Sequence, residues 1–492
     1  MAKTIFVHDY ETFGIDPKAD RVSQFAGIRV DEDFNIIEDP VNIYCKPAED
    51  FYPNPEACLV TRISPFTALE KGLPENEFFL KVQEELGRAG TCGMGYNTIE
   101  FDDEFTRHGF YRNFINPYAR EWQNGNSRWD LINVLRMIHA VQPEAFNVPH
   151  DEDGKPSFRL EKLTQANGIE HENAHDALAD VIGTIEMAKI AKKNAPEIFD
   201  TLYQQRQKFG IQGLIDSGKP LIVASPFFGH ERNYVEMILP VGKSSKNKNE
   251  FYCIKINHEN VPNILQHTPE EINDIVFNKE NEGSLPIHKI QINKCPIMLP
   301  ASYMNKENAQ RLGLDGDLCR KNIAFIKEKG MATFTKKLEE TFNLKEFEAF
   351  TDPDQMLYSG FFSKNDEMEI QNIRSKNLPE LAEHSVPSNA DSRLSELLFR
   401  YIGRNQPEVF DANRKTQWEE YCKNRLTNPE YNASITREDY YNKLETFKNN
   451  DEFNHEFKET LIEDLFKYGQ MLDSKFGLSA EKKPQSKTRR KP

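Results

Sequence analysis

The sequence predicts an α/β domain, then a smaller β-rich domain, then an all-helical domain, and three observations carry that order. Short apolar runs at 5–8, 26–30 and 41–45 alternate with helical patterns up to about residue 190. From about 200 to 350 the runs "KPLIVASPFFG", "NYVEMILPV", "EFYCIKI" and "HKIQINKCPIML" are β-rich and bounded by Gly, Pro, Asn and Lys, as in a small barrel or sheet. From about 352 onward "SRLSELLFRYIG", "KTQWEEYCKNRL", "REDYYNKLETF" and "FKETLIEDLFKYGQML" repeat apolar residues every three or four positions, the period of a helix face. The domains drawn are 1–192, 196–350 and 352–475. Residues 476–492 read as a basic disordered tail, since the last eleven carry six basic residues and no apolar anchor.

Composition agrees with this layout. A chain of 492 residues has room for roughly three domains. With 38% hydrophobic and 28% charged residues it suits a globular protein with a polar surface. No apolar stretch approaches the ~20 residues that span a bilayer, so no membrane role is expected. The first strand begins almost at residue 1, leaving no room for a signal peptide. Seven scattered cysteines without a C-x-x-C pair suggest neither a zinc site nor a disulfide framework, and a reducing cytoplasm fits best. The net charge of −16 argues against indiscriminate coating of nucleic acid. It leaves room for a local basic groove beside acids that hold metal.

Such acids stand at the end of the first strand. In "IFVHDYETFG", Asp9 and Glu11 are two residues apart, so an extended backbone projects both to one face. Adjacent carboxylates repel unless something positive lies between them, and a hard divalent cation suits their oxygens. The pair equally suits a strand end running out into solvent. Two further stretches offer partners. "GYNTIEFDDEFTRHGFYRNF" places Asp102 after a short strand at 92–97, although Asp102, Asp103 and Glu104 together also read as the acidic N-terminus of a helix. "ENAHDALADVIGTIEMAKIAKK" reads as a helix capped by Asn173, with Ala177, Val181, Ile182, Ile185 and Ala188 in one apolar stripe. His175 and Asp180 stand out near its start, and Asp176 reads as an ordinary first-turn acid.

In order along the chain, these are D-x-E on the first strand, N-x-x-x-F-D about ninety residues later and H-x-x-x-x-D on a following helix. The set resembles the DEDD superfamily of 3′→5′ exonucleases, in the subgroup with histidine in its last motif. "FVHDYETFG", "SRWDLINVLR", "PSFRLEKLTQANGIEHENAHDALAD", "INKCP" and "LYSGFF" narrow the likeness to the bacterial exonuclease I family over roughly residues 4 to 475. The resemblance implies an RNase H-like exonuclease domain, an SH3-like domain and a helical C-terminal domain. It also implies degradation of single-stranded DNA from the 3′ end, in repair and recombination.

On these residues the resemblance places two Mg²⁺ ions, with Mn²⁺ as substitute, on Asp9, Glu11, Asp102 and Asp180. Histidine titrates near pH 6.5, so His175 is mostly neutral at pH 7 and suits a base toward the attacking water. Glu11 and Arg159 are expected to touch substrate. Between residues 107 and 129 basic and aromatic residues interleave, and rings stack on bases without demanding a sequence. From that stretch and just beyond it, Arg107, Tyr118, Trp122 and Arg136 are the expected DNA contacts, with Phe110 and Phe114 assigned to the core. Asn249 and Tyr358 are expected to complete the groove. The basic run at 243–248 reads as a solvated turn or a further contact, and His288 stands where the family carries a DNA-contacting lysine. The family's docking on the acidic tail of single-strand-binding protein is implied too, while a monomer suffices to enclose a strand. The rival functions are an exoribonuclease of the same superfamily and a non-catalytic single-stranded-DNA-binding protein.

Overall fold

The computed structural model describes residues 3–170, 176–278, 284–345, 349–449, 453 and 456–478. Its first part is built on a five-stranded sheet, β1 (Thr4–Thr12), β2 (Val22–Val30), β3 (Val41–Tyr44), β4 (Thr91–Gly95) and β5 (Ser127–Asp130), in the order β3-β2-β1-β4-β5. β1 runs antiparallel to β2 along its length but parallel to β4 only as far as the Val7–Met94 pair. Its last residues therefore lose their partner on the β4 side. Gly95 ends β4 close against β1, where a Cβ would fall 2.5 Å from the His8 carbonyl oxygen.

Alternation along β1 gives the sheet two different faces. Phe6 and Tyr10 point into a cluster with Phe25, Phe78, Phe79 and Phe110. Ile5 and Val7 point to the opposite face, where they pack with helices α2 (Leu131–Val141), α3 (Leu160–Ala166) and α4 (Ala177–Asn194). Asp9 and Glu11 share that second face by their spacing. A further helix, α1 (Asp102–Arg112), follows β4.

The start of α4 differs from the sequence reading. Its cap is Asp176, whose side chain accepts from the backbone N–H groups of Leu178 and Ala179, so the helix begins three residues later than an Asn173 cap would place it. Asn173 and His175 lie outside the described residues. Ala177, Val181, Ile185 and Ala188 form the buried stripe, but Ile182 is largely exposed, since it falls outside the arc that reaches the sheet.

The second part carries an antiparallel sheet of β6 (Leu221–Ala224), β7 (Val235–Lys243), β8 (Glu250–Lys255), β9 (Ile287–Gln291) and β10 (Ile297–Pro300), in the order β10-β6-β7-β8-β9. The expected strands are there, joined by helices that the β-rich reading passed over, Pro269–Phe277, Gly316–Lys329 and Met331–Asn343. Phe334 and Leu338 of the last of these pack on Leu239, Tyr252 and Ile254 of the sheet. The third part is helical throughout, including Arg393–Asn405, Ala412–Thr427, Arg437–Lys448 and Lys458–Phe476. The basic residues beyond 478 lie outside the described residues.

The parts share their interiors. Ile222, Ala224, Val235, Ile297 and Leu299 of the second sheet lie in the same core as Trp129, Leu135 and Ile138 of the first part. Phe13, Phe51, Tyr52 and Phe114 of the first part lie in one core with Leu394, Leu398, Trp418 and Tyr440 of the third. No helix among the described residues is long and apolar enough to cross a membrane.

Candidate active site

Three carboxylates converge where α4 crosses the unpartnered end of β1. One oxygen each from Asp9, Glu11 and Asp180 lie within 4.8 Å of one another. The packing of Val181 and Ile185 on the sheet sets this approach, because it turns the first turn of α4 toward the face that carries Asp9 and Glu11. Asp102 approaches from the other side. Its Oδ1 accepts from the Tyr10 backbone N–H at 2.9 Å, filling the place that a β4 residue would occupy if the parallel ladder continued.

Burial pushes the Asp9 carboxyl well above the usual carboxylate range, and Asp102, Glu11 and Asp180 push it further. Burial and the charges of Asp180 and Asp102 raise Glu11 in the same way. Asp102 is raised chiefly by its burial. The charges acting most strongly on Asp9 are all acidic, so the cluster lacks the counter-charge that its geometry calls for. Among the described residues the cluster offers carboxylate oxygens, the donors that hard divalent cations prefer.

Asp103, next in sequence, does a different job. Arg120 and Arg128 (2.6 Å) hold it, and against the cost of burial they keep its carboxyl low. Asp130 was missed by the sequence reading. It caps α2 through Ile132 N–H and accepts from the N–H groups of Asn97 (2.9 Å) and Ile99 (3.1 Å), fixing the loop that delivers Asp102. The apolar run that starts directly after this acid was the available signal for a cap.

Three family profiles match the chain in sequence order. "Exonuclease" covers residues 6–188, "Exonuclease I SH3-like domain" covers 206–344 and "Exonuclease I C-terminal domain" covers 351–472. The exodeoxyribonuclease I of Haemophilus influenzae is 40% identical over 477 residues, which is 95% of this chain and 98% of that protein. The chain belongs to the exonuclease I family. Among solved structures, the zinc ion bound form of the E. coli ExoI–ssDNA complex is 35% identical, covers 96% of this chain and 100% of that one, and superposes with a TM-score of 0.88. A structure of SSB/Exonuclease I in complex with inhibitor CFAM gives 35%, 96%, 100% and 0.87. The family and the order of domains expected from the sequence motifs are thus borne out.

Beyond the carboxylates, this exonuclease I chain places the other expected residues in varied surroundings. Trp122 is 66% exposed, Tyr118 is half-buried and Arg159 projects into solvent at the start of α3. Tyr358 is 53% exposed, and its hydroxyl donates to Glu104 (2.5 Å) while accepting from Arg107 (3.2 Å). Arg107 itself is buried, forked onto Glu121 at 2.7 and 2.9 Å, with Tyr118 stacked over its guanidinium at 5.6 Å. Arg136 is buried too, lying 4.1 Å from the Tyr234 ring centroid. The interleaved stretch therefore reads mainly as interior, since Arg112, Arg120, Arg128 and Trp129 are buried along with Phe110 and Phe114. Asn249 is half-buried and accepts from Lys208 Nζ at 2.6 Å. In the 243–248 run Lys243 and Lys248 are exposed. His288 packs on Phe228 at 4.8 Å, and burial with nearby Lys255 lowers its pKa to about 4. Its ring is neutral at pH 7 and does not replace a lysine's charge.

Proposed function

We propose that this chain is a 3′→5′ exonuclease that degrades single-stranded DNA to 5′-mononucleotides by metal-assisted phosphodiester hydrolysis, in DNA repair and recombination. The observation that carries this reading is the convergence of Asp9, Glu11 and Asp180 with Asp102 behind them. These four would hold two Mg²⁺ ions, with Mn²⁺ as substitute. When bound, the cations supply positive charge that stabilises the attacking and leaving oxygens of the phosphate. His175, one residue before the α4 cap, accepts the proton of the attacking water. The new P–O bond forms to that water's oxygen and the bond to the 3′ oxygen breaks; a proton from solvent then neutralises the 3′ oxygen, leaving a shortened strand with a 3′ hydroxyl.

Trp122, Tyr118, Tyr358, Asn249 and Arg159 hold the strand, together with Glu11 at the terminal nucleotide. Arg107 and Arg136 serve by positioning aromatic rings, because their own charges are buried against Glu121 and Tyr234. Seven unpaired cysteines support a reducing compartment, the cytoplasm. A monomer and docking on the acidic tail of single-strand-binding protein complete the reading, the latter supported by the SSB/Exonuclease I likeness.

The deciding experiment offers 5′-labelled single-stranded DNA, a blunt duplex and a matching RNA, with Mg²⁺, with chelator and with His175→Ala. Shortening of the single strand from its 3′ end, dependent on metal and on His175, is expected. RNA consumed in preference to DNA would make the chain an exoribonuclease, and binding without shortening would make it a binding protein.

The carboxylates also predict how metal and pH act together on stability. Asp9, Glu11 and Asp102 have folded-state pKa values above their unfolded ones, so their contribution is fully present below the unfolded carboxylate range. It is lost as pH rises through the folded values. Divalent cations offset that loss only where the acids are ionised. Millimolar Mg²⁺ is therefore expected to raise the melting temperature clearly at pH 8 and much less at pH 5. Equal shifts at both values would show that the cluster is not the metal site.

A further inference from the structure

The loop between β9 and β10 reaches from the second part onto the segment that carries Asp102. Its backbone is held at two points, with the Ile292 N–H donating to the Asn249 carbonyl (2.9 Å) and the Lys294 N–H to the Gln291 carbonyl (3.0 Å). Cys295, next in the loop, sits at φ +47°, a left-handed conformation that a side chain keeps only where its surroundings dictate it. Thus fixed, the loop offers the Asn293 carbonyl to Arg128 Nη2 at 2.9 Å and brings Lys294 Nζ to 3.8 Å from Glu100. Arg128 is buried on β5, and its guanidinium has partners on both sides of this seam. Toward the first part, Nη1 donates to Asp103 at 2.6 Å and Nη2 lies 3.1 Å from Glu121.

Asp103 is the second residue of α1 and follows Asp102 directly. Its N–H donates to the Thr98 carbonyl at 2.8 Å, while Asp130, two residues after Arg128, accepts from Asn97 and Ile99. Two alternate residues of β5 therefore hold the two ends of segment 97–103, and Arg128 ties that segment to the second part as well. Arg120 also grips Asp103, but among the described residues it bonds nothing of the second part. We infer that Arg128 is a positioning residue for the metal cluster, making the seating of the second part on the first a condition for the placing of Asp102. A planar fork can face Asp103 and Asn293 at once, whereas a lysine ammonium is a single point of charge. Partners one step behind metal ligands orient those ligands, and losing one weakens metal binding about 10–100-fold. This deepens the metal reading above and rests on it.

The test titrates Mn²⁺ calorimetrically into the full chain and into Arg128→Lys, Arg120→Lys and Lys294→Glu, at a temperature where melting curves show each to be folded. Arg128→Lys is expected to bind Mn²⁺ about ten-fold more weakly, and excess Mg²⁺ to restore its digestion of a labelled single strand. Arg120→Lys, which loosens Asp103 without touching the second part, is expected to lose clearly less. Lys294→Glu sets like charges across the exposed end of the seam and is expected to weaken binding about three-fold in a folded chain. Wild-type affinity in Arg128→Lys, or an equal loss in both arginine variants, overturns the inference. Should Arg128→Lys fail to fold, wild-type affinity in Lys294→Glu overturns it. If the wild type takes up no more Mn²⁺ than Asp9→Ala, the metal reading itself fails and the inference falls with it.

Discussion

Asp9→Ala is expected to leave a folded protein whose turnover has fallen at least about a thousand-fold. Asp102, Glu11 and Asp180 all act on Asp9, which therefore sits among the other acids of the cluster and would be one of the residues that hold metal. Charge stabilisation of a transferring phosphate is worth several kcal/mol, and every ~1.4 kcal/mol is ten-fold in rate. The fold has little reason to suffer, because the side chain adds repulsion to the metal-free structure. Asp9→Asn in chelator should melt no lower than the wild type. Asp103→Ala is the instructive control. It lies beside Asp102 in sequence, but it neutralises buried Arg120 and Arg128, so its removal should lower the melting temperature. Single-turnover digestion with parallel melting curves separates the two effects. An Asp9→Ala enzyme within ten-fold of wild type would remove Asp9 from the chemistry.

The second large effect is expected at a buried ion cluster between the first and third parts. Asp354 meets Arg404 at 2.5 Å, Arg400 at 3.1 Å and Arg21 at 4.0 Å, while Asp50 meets Arg404 at 2.8 Å and Arg425 at 3.4 Å. Asp354→Ala takes a shared carboxylate from three buried guanidiniums, leaving Arg404 to Asp50, Arg400 to Asp352 and Glu396, and Arg21 to Glu75, and removing one partner from such a buried cluster costs up to about 3–5 kcal/mol. Urea unfolding at pH 7 should report a loss of that size, and a loss below about 1 kcal/mol would show the cluster to be slack. The cluster also sets an acid limit. Against the cost of burial, the arginines hold Asp354 and Asp50 well below the unfolded carboxylate value near 3.9. Their stabilisation is therefore present above that value and lost only as pH falls through the depressed folded ones. The wild type should keep this contribution down to about pH 4, and Asp354→Ala should keep only the part that Asp50 supplies.

How much of this was legible in the sequence depended on whether the deciding partner was near in the chain. The shared face of Asp9 and Glu11 follows from a two-residue period, which the sequence displays on its own. Asp102 and Asp103 looked alike because what separates them is remote. Arg120 and Arg128 lie 17 and 25 residues beyond Asp103, and Tyr10 lies 92 residues before Asp102. The burial of Arg107 and Arg136, both expected at the DNA, was hidden for the same reason, since composition does not reveal that Glu121 or the Tyr234 ring will close over them. The helices Gly316–Lys329 and Met331–Asn343 were hidden by narrow apolar stripes, such as Phe334 and Leu338, set among many charges.

The shared interiors have a consequence for how such a chain can change over generations. Trp129 and Leu299 fill one core across the first boundary, and Phe51 and Trp418 fill another across the second. A recombination event that delivered the nuclease segment alone would carry two raw apolar faces and half of an ion cluster. The three segments are therefore expected to travel as one piece, and a swap between relatives is expected to succeed only where both sides of each seam already match.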